Sequence, residues 1–289
     1  MKETLSVFLA LLTAGAVFAN GRGETNSFDP QKNINVVSRE DGSGTRGAFI
    51  ELFGIEQRGA DGSRNDMTTK EAVIARQTDV MMLNIAGDKY AIGYISLGSL
   101  NSTVKAVSID GVSPRTDLVA SGAYTVARPF YIVTKGEATG IVQDFIRFIT
   151  SAEGQAVVGQ NYIPVYTDAD SYAGTARSGT IIVAGSSSVT PVMEKLSEAY
   201  RALNPSVGIE IQQSDSSTGI TATVRGICDI GMVSRDLRES ELAQLNPTKI
   251  AIDGIAVIVH GQNPVEDLTK DQVKAIFTGE TVQWNRVIK

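Results

Sequence analysis

Cysteine and histidine are almost missing: the 289 residues hold one of each, Cys228 and His260. A lone thiol cannot close an intramolecular disulfide. One histidine and one cysteine make no ligand cluster for zinc or a similar metal. A Ser-His-Asp hydrolase would need His260 beside a nucleophilic serine. No serine sits in a G-x-S-x-G turn, and His260 precedes the polar loop Gly261-Gln262-Asn263-Pro264. Neither an enzyme nor a cofactor is expected. Basic excess is absent as well. Lys and Arg number 26 against 32 Asp and Glu, the formal charge is -6, and no basic block occurs, which argues against nucleic acid as a partner. Beyond the first twenty residues no stretch is long and apolar enough to span a bilayer. Cys228, just ahead of Asp229-Ile230-Gly231-Met232, reads as a buried, unreactive thiol.

What is present begins with a leader. MKETLSVFLALLTAGAVFAN carries Lys2, then an apolar run from Leu5 to Phe18, and ends in Val17-Phe18-Ala19. That is the pattern of a secretory signal peptide, residues 1–19, cleaved near Ala19. No cysteine follows the run, so a lipoprotein anchor is not expected. A periplasmic or secreted protein is.

After the leader, strands and helices alternate, the mark of an α/β fold with mostly parallel strands. Strands are expected at 34–38, 90–95, 104–109, 129–134, 181–184, 208–213, 230–233 and 255–259. Helices are expected after 48, at 141–150, from Thr190-Pro191 to about 203, and at 220–227. Thr68 and Glu71 have capping-box spacing and predict a helix to about Leu83; Asp236 with Glu239, and Thr269 with Gln272, have it too. The stripe Val192, Met193, Leu196, Ala199, Tyr200 and Leu203 predicts the buried face of the helix opened by Pro191. Residues 166–180, YTDADSYAGTARSGT, are polar and aperiodic and read as a linker.

Three of the strand-to-helix turns share a chemistry: Asp41-Gly42-Ser43-Gly44-Thr45, Ser186-Ser187-Ser188 and Ser216-Ser217-Thr218-Gly219. Each places small hydroxyl residues ahead of a helix, where backbone N–H groups lack partners and the dipole is positive. Each alone reads more readily as a helix cap. Together they point to a tetrahedral oxyanion, with Arg39 and Arg235 able to add bidentate bonds. The P-loop reading of 41–45 fails for want of Gly-Lys-Ser/Thr.

The segments INVVSREDGSGTRGAF (34–49), RPFYIVTKG (128–136), GQNYIPV (159–165), IIVAGSSSVTPVMEKLSEAY (181–200), DIGMVSRDL (229–237) and IFTGETVQWNRV (276–287) together resemble the phosphate-binding proteins of bacterial ABC importers. The resemblance implies a two-lobed periplasmic binding protein of type II, with helix-flanked sheets and a two-strand hinge. It implies inorganic phosphate as ligand, permease subunits as membrane partner, and a monomer. The order of the segments is that of a circular permutation: in the family the segment like AGSSSVTP comes first. With hinge crossings near Ala127-Arg128-Pro129 and Ile252-Asp253-Gly254, one lobe would be 27–127 plus 254–289 and the other 128–253, the latter containing the linker. By resemblance Arg39, Ser43, Gly44, Thr45, Ser187, Ser188 and Ser216 contact phosphate. Asp41 matches an acid that orients the arginine, and Ser217 and Arg235 stand nearby. Ser234 occupies the place where some members carry a proton-accepting aspartate, a role left open to Asp236 or Asp215. The alternatives within the binding class are a sulfate-like oxyanion, or a phosphate sensor or scavenger without transport.

Overall fold

The computed structural model describes residues 27–59, 63–174 and 177–288. The leader read at 1–19 lies outside them. The first part of the chain forms β1 (Asn35–Arg39), α1 (Gly44–Leu52), β2 (Glu56–Arg58), β3 (Arg64–Asp66), β4 (Val73–Ala75), α2 (Thr78–Gly87), β5 (Ala91–Ser96), β6 (Lys105–Ile109) and α3 (Thr116–Ala120). Next come β7 (Ala127–Thr134), α4 (Gly140–Thr150), α5 (Ala152–Val158), β8 (Gly179–Ser186), α6 (Thr190–Leu203), β9 (Val207–Ser214), α7 (Ser216–Val224), β10 (Ile230–Val233) and α8 (Glu239–Leu242). The chain closes with β11 (Asn246–Val259), β12 (Asp267–Leu268) and α9 (Lys270–Phe277).

The main sheet runs β4-β1-β5-β11-β7-β10-β8-β9. Its wings are parallel: β1 pairs with β4 and β5 at one end, and β8 with β9 and β10 at the other. Its centre is antiparallel, because β11 pairs that way with both β5 and β7. The two largest clusters of buried apolar side chains mark two bodies. One draws on residues 34–126 and 255–287 and centres on Phe49, stacked on Tyr94 at 3.8 Å and edge-on to Phe277. Trp284 is fully buried there, its indole N–H donating to the Tyr90 carbonyl. The other body draws on residues 130–251 around Phe130, Phe145, Phe148 and Tyr200. β7 and β11 run from one body into the other, paired from Asn246↔Thr134 to Gly254↔Ala127.

Several expectations change. The Thr68–Glu71 spacing caps nothing: Asp66 Oδ1 accepts from both the N–H and the hydroxyl of Thr68. The β-branched Val73-Ile74 then extends as β4 alongside β1, and the helix starts only at Thr78. Asp236 does not cap α8. It accepts from the Tyr131 hydroxyl, while Glu241 reaches back to the Arg238 N–H. Thr269 and Gln272 do form the reciprocal box at the start of α9. Leu203, expected on the buried face of α6, is 55% exposed because it ends the helix. α7 begins at Ser216 rather than near 220, since Asp215 caps it through the Thr218 N–H at 2.9 Å. β11 is far longer than the expected 255–259. Over residues 246–251 it has a strand on one side only, where Pro247 is tolerated.

The described part of the stretch 166–180, residues 166–174 and 177–180, carries no regular element before β8 begins at Gly179, yet it is held down. Tyr172 donates its hydroxyl to the buried Asp144 (2.6 Å) and its N–H to Glu153. Asp170 O accepts from the Ala152 N–H. Cys228 is buried beside the Thr223 hydroxyl, and burial pushes its thiol pKa up.

Candidate functional site

Four helix N-termini meet where the two bodies face each other. From the first body come α1 and α2. β1 delivers Arg39, and the turn after it leads to Ser43, whose Oγ caps α1 by accepting from the Arg46 N–H (3.3 Å). Thr45 follows in the first turn. Thr78 opens α2, which no side chain caps. From the second body come α6 and α7. Ser186 ends β8, and Ser187 and Ser188 lead into α6, which also has no side-chain cap. Ser216 is the first residue of α7, and Ser234 follows β10 directly.

The hydroxyls of the two bodies touch. Thr45 Oγ1 lies 2.8 Å from Ser188 Oγ. Thr78 Oγ1 lies 3.2 Å from Ser187 Oγ and 3.3 Å from Ser188 Oγ. Arg39 Nη2 donates to Ser187 Oγ (3.0 Å) and Nη1 to Thr78 Oγ1 (3.4 Å). Deeper in, Ser234 Oγ bridges Ser186 Oγ (2.9 Å) and Ser216 Oγ (3.3 Å), and Ser216 Oγ accepts from the Ser234 N–H. Backbone joins the bodies too, the Ser217 N–H donating to the Gly42 carbonyl. Arg39, Ser43, Thr45, Thr78, Ser186, Ser187, Ser188, Ser216 and Ser234 are all buried, Arg39 at 1% exposure.

Two glycines make the approach possible. A methyl on Gly44 would meet Ser216 Oγ and Ser234 Oγ, and one on Gly42 would meet the Asp215 carboxylate.

Arg39 is oriented by the residue beside it. Glu40 accepts from its Nε (2.9 Å) and Nη2 (2.8 Å) in a two-pronged pair, and the Ala75 carbonyl takes a further bond from Nε. Asp41, expected in this role, instead pairs with Arg46 Nη1 at 2.7 Å and is 96% exposed. The turn after Glu40 carries Asp41 outward. Arg235 is absent from the cluster: Glu241 holds it bidentately at 2.8 and 2.9 Å. It lines a neighbouring cleft of about 610 Å³ together with Asp41, Arg46, Ser217 and Asp236. Neither Asp215, which caps α7, nor Asp236 faces the hydroxyls. Ser217 Oγ has no bond within the cluster, and its contribution there is the N–H. Sequence reasoning missed Thr78 because the capping pattern at Thr68 drew the helix start ten residues early. Thr78-Asp79 ahead of Val80-Met81-Met82-Leu83 was the available signal.

A cluster of neutral donors at opposed helix N-termini, with one arginine, is the kind of site that takes an oxyanion. The family described as the PBP superfamily domain matches residues 19–153 and 170–288. The chain belongs to this superfamily. Among its members the chain is 50% identical over 272 residues to a protein of Streptococcus agalactiae serotype V called phosphate-binding protein PstS 2, covering 93% of this chain and 92% of that one. The solved structure of a phosphate ABC transporter's phosphate-binding protein from Streptococcus pneumoniae TIGR4 superposes with a TM-score of 0.70 and 44% identity, over 89% of this chain and all of the other. The Bacillus subtilis phosphate-binding protein PstS matches at 37% over 139 residues, 46% of this chain and 42% of its own. Within the PBP superfamily, then, the chain groups with phosphate-binding proteins. Among the described residues, no helix is long and apolar enough to cross a membrane.

Proposed function

We propose that the protein captures inorganic phosphate between two lobes and hands it to the permease subunits of an ABC importer. The observation that carries the reading is the meeting of hydroxyls from both bodies at four helix N-termini around Arg39. Arg39, Ser43, Gly44, Thr45, Ser187, Ser188 and Ser216 are the proposed contacts, joined by Thr78 and by Ser234. The lobes are 27–127 plus 254–289, and 128–253. The names of the PstS relatives support phosphate as the ligand. The leader at 1–19 would send the protein out of the cytoplasm, with cleavage near Ala19 and no lipid anchor.

We read the segment order of this chain as a circular permutation of the order that the family resemblance implies. A collinear alignment of a permuted chain can follow only one part of its partner. The half-length match to the Bacillus subtilis protein supports that reading, and the full-length match to PstS 2 supports an order shared by those two chains.

The test is titration calorimetry on protein unfolded, dialysed free of anion and refolded. Phosphate should bind one to one and raise the melting temperature, as any ligand of the folded state alone must. Absence of both heat and melting shift overturns the reading. Sulfate belongs in the same experiment, because among the described residues no carboxylate is hydrogen-bonded to the clustered hydroxyls.

A further inference from the structure

A second buried polar group lies where β7 and β11 pass from one body to the other, and anion contact does not account for it. Arg128 on β7 donates from Nη1 to the Ser234 carbonyl (3.0 Å) and from Nη2 to Asp253 Oδ2 (3.1 Å). Arg128 and Asp253 stand directly opposite in the β7–β11 pairing. Asp253 Oδ1 in turn accepts from Ser96 Oγ (3.0 Å) and the Gly98 N–H (3.2 Å), at the end of β5. The two side chains are 2% and 1% exposed. One guanidinium therefore joins three places: the crossing strands, the end of the first body's β5, and the second body's Ser234.

The pair is badly arranged for stability alone. Among the described residues, Arg128 Nε is buried without a hydrogen-bond partner. Burial pushes Arg128 down and lifts the Asp253 carboxyl to about 6. Well-packed apolar residues would serve a static joint better than an under-satisfied ion pair. What the pair offers is sensitivity to position. The Ser234 N–H holds Ser216 Oγ, so a grip on the Ser234 backbone also places Ser216.

We propose that Arg128 is a positioning residue that couples anion capture to closure, by holding the Ser234 backbone against Asp253 at the joint between the lobes. The inference rests on the phosphate reading above. The groups that face Asp253 are Arg128 from β7, Ser96 and Gly98 from the end of β5, and Tyr162 from the segment after α5; the Arg39 charge also acts on Arg128.

Two variants test it. Arg128→Lys keeps the charge but cannot reach both the carbonyl and the carboxylate, and should bind phosphate at least about tenfold more weakly, mainly through faster release. Asp253→Asn is compared with the parent from about pH 5 to about pH 8. The ratio of their dissociation constants cancels the titration of phosphate itself. It should rise through about pH 6, where the parent carboxylate ionises. A purely structural role would leave the ratio flat. A flat ratio, or parent affinity in Arg128→Lys, overturns the assignment. So does failure of both variants to fold, which would make the pair a folding element. A parent that binds no phosphate refutes the function instead and leaves a different signature.

Discussion

Gly44→Ala separates closure from folding. Gly44 opens α1 without a positive φ, so alanine fits the helix locally and favours it by up to about 1 kcal/mol. In the closed arrangement the new methyl would stand 2.6 Å from Ser234 Oγ and closer still to Ser216 Oγ. Both oxygens are buried and bonded, so neither can swing away. Restoring ordinary contact near 3.5 Å requires the α1 turn to retreat by ~1 Å. Thr45 Oγ1 and Ser188 Oγ, now 2.8 Å apart, would separate to beyond hydrogen-bond range, and donors from the two lobes could no longer reach one anion together. Loss of one or two bonds to a charged ligand costs about 2–4 kcal/mol, which is roughly a 30- to 1,000-fold rise in dissociation constant. Calorimetry on anion-stripped protein measures the constant, and thermal unfolding without ligand measures stability. We expect weak binding with an unchanged or slightly raised melting temperature. A dissociation constant within about threefold of the parent would mean that the two jaws do not meet at Gly44 when the anion is held.

Arg39→Ala should weaken phosphate binding by at least about 100-fold while the protein still folds, since the charge-assisted donor is lost and Glu40 can hydrate; calorimetry and circular dichroism check both halves. Thr78→Val removes one hydroxyl and should cost about 1 kcal/mol of binding, some five- to tenfold, by the same titration. Asp253 has a folded pKa raised to about 6 from 3.8, so its contribution to stability is fully present below about pH 4 and is lost as pH rises through 6. Asp253→Asn should flatten the parent's pH–stability curve there, by ~3 kcal/mol at most, as read by urea denaturation. Reordering the gene by cutting within 166–180 and joining the far ends should keep phosphate binding but lower stability by about 1–3 kcal/mol through the lost Tyr172 bonds, in unfolding experiments beside the parent.

The alternation of strands and helices was legible because each α/β unit carries its own periodicity, and α9 showed its cap in the letters Thr269 and Gln272. The three hydroxyl turns were legible for the same reason: donors at a helix start are a local feature. What failed was non-local. Thr68 and Glu71 have the right spacing, but Asp66 competes for the Thr68 hydroxyl and β1 claims Val73 as a strand partner. Nothing near Arg39 in the chain says whether Glu40 or Asp41 will face it, since that depends on how the turn to α1 is oriented. Residues 246–254 do not read as a strand because β7, more than a hundred residues away in sequence, supplies the partner. Tyr172 looked like one polar-linker residue among many, and its anchor Asp144 lies on α4.

The first core is built from two stretches far apart in sequence, 34–126 and 255–287, and that sets the order in which the chain assembles. Residues 130–251 hold one body in a single continuous stretch, which can begin to pack as soon as it is complete. The other body begins earlier in the chain but waits longest. β5 lacks its neighbour until β11 arrives, and Tyr90 accepts from a tryptophan 194 residues downstream. Its opening hundred residues emerge first with an unpaired β5 edge and an open apolar face. Such contacts close slowly, because distant segments must meet before any packing rewards them. During synthesis this half is therefore the one exposed to aggregation and proteolysis, and the one that most needs a holding factor. The last segment to appear, β11 through Trp284, ends the wait.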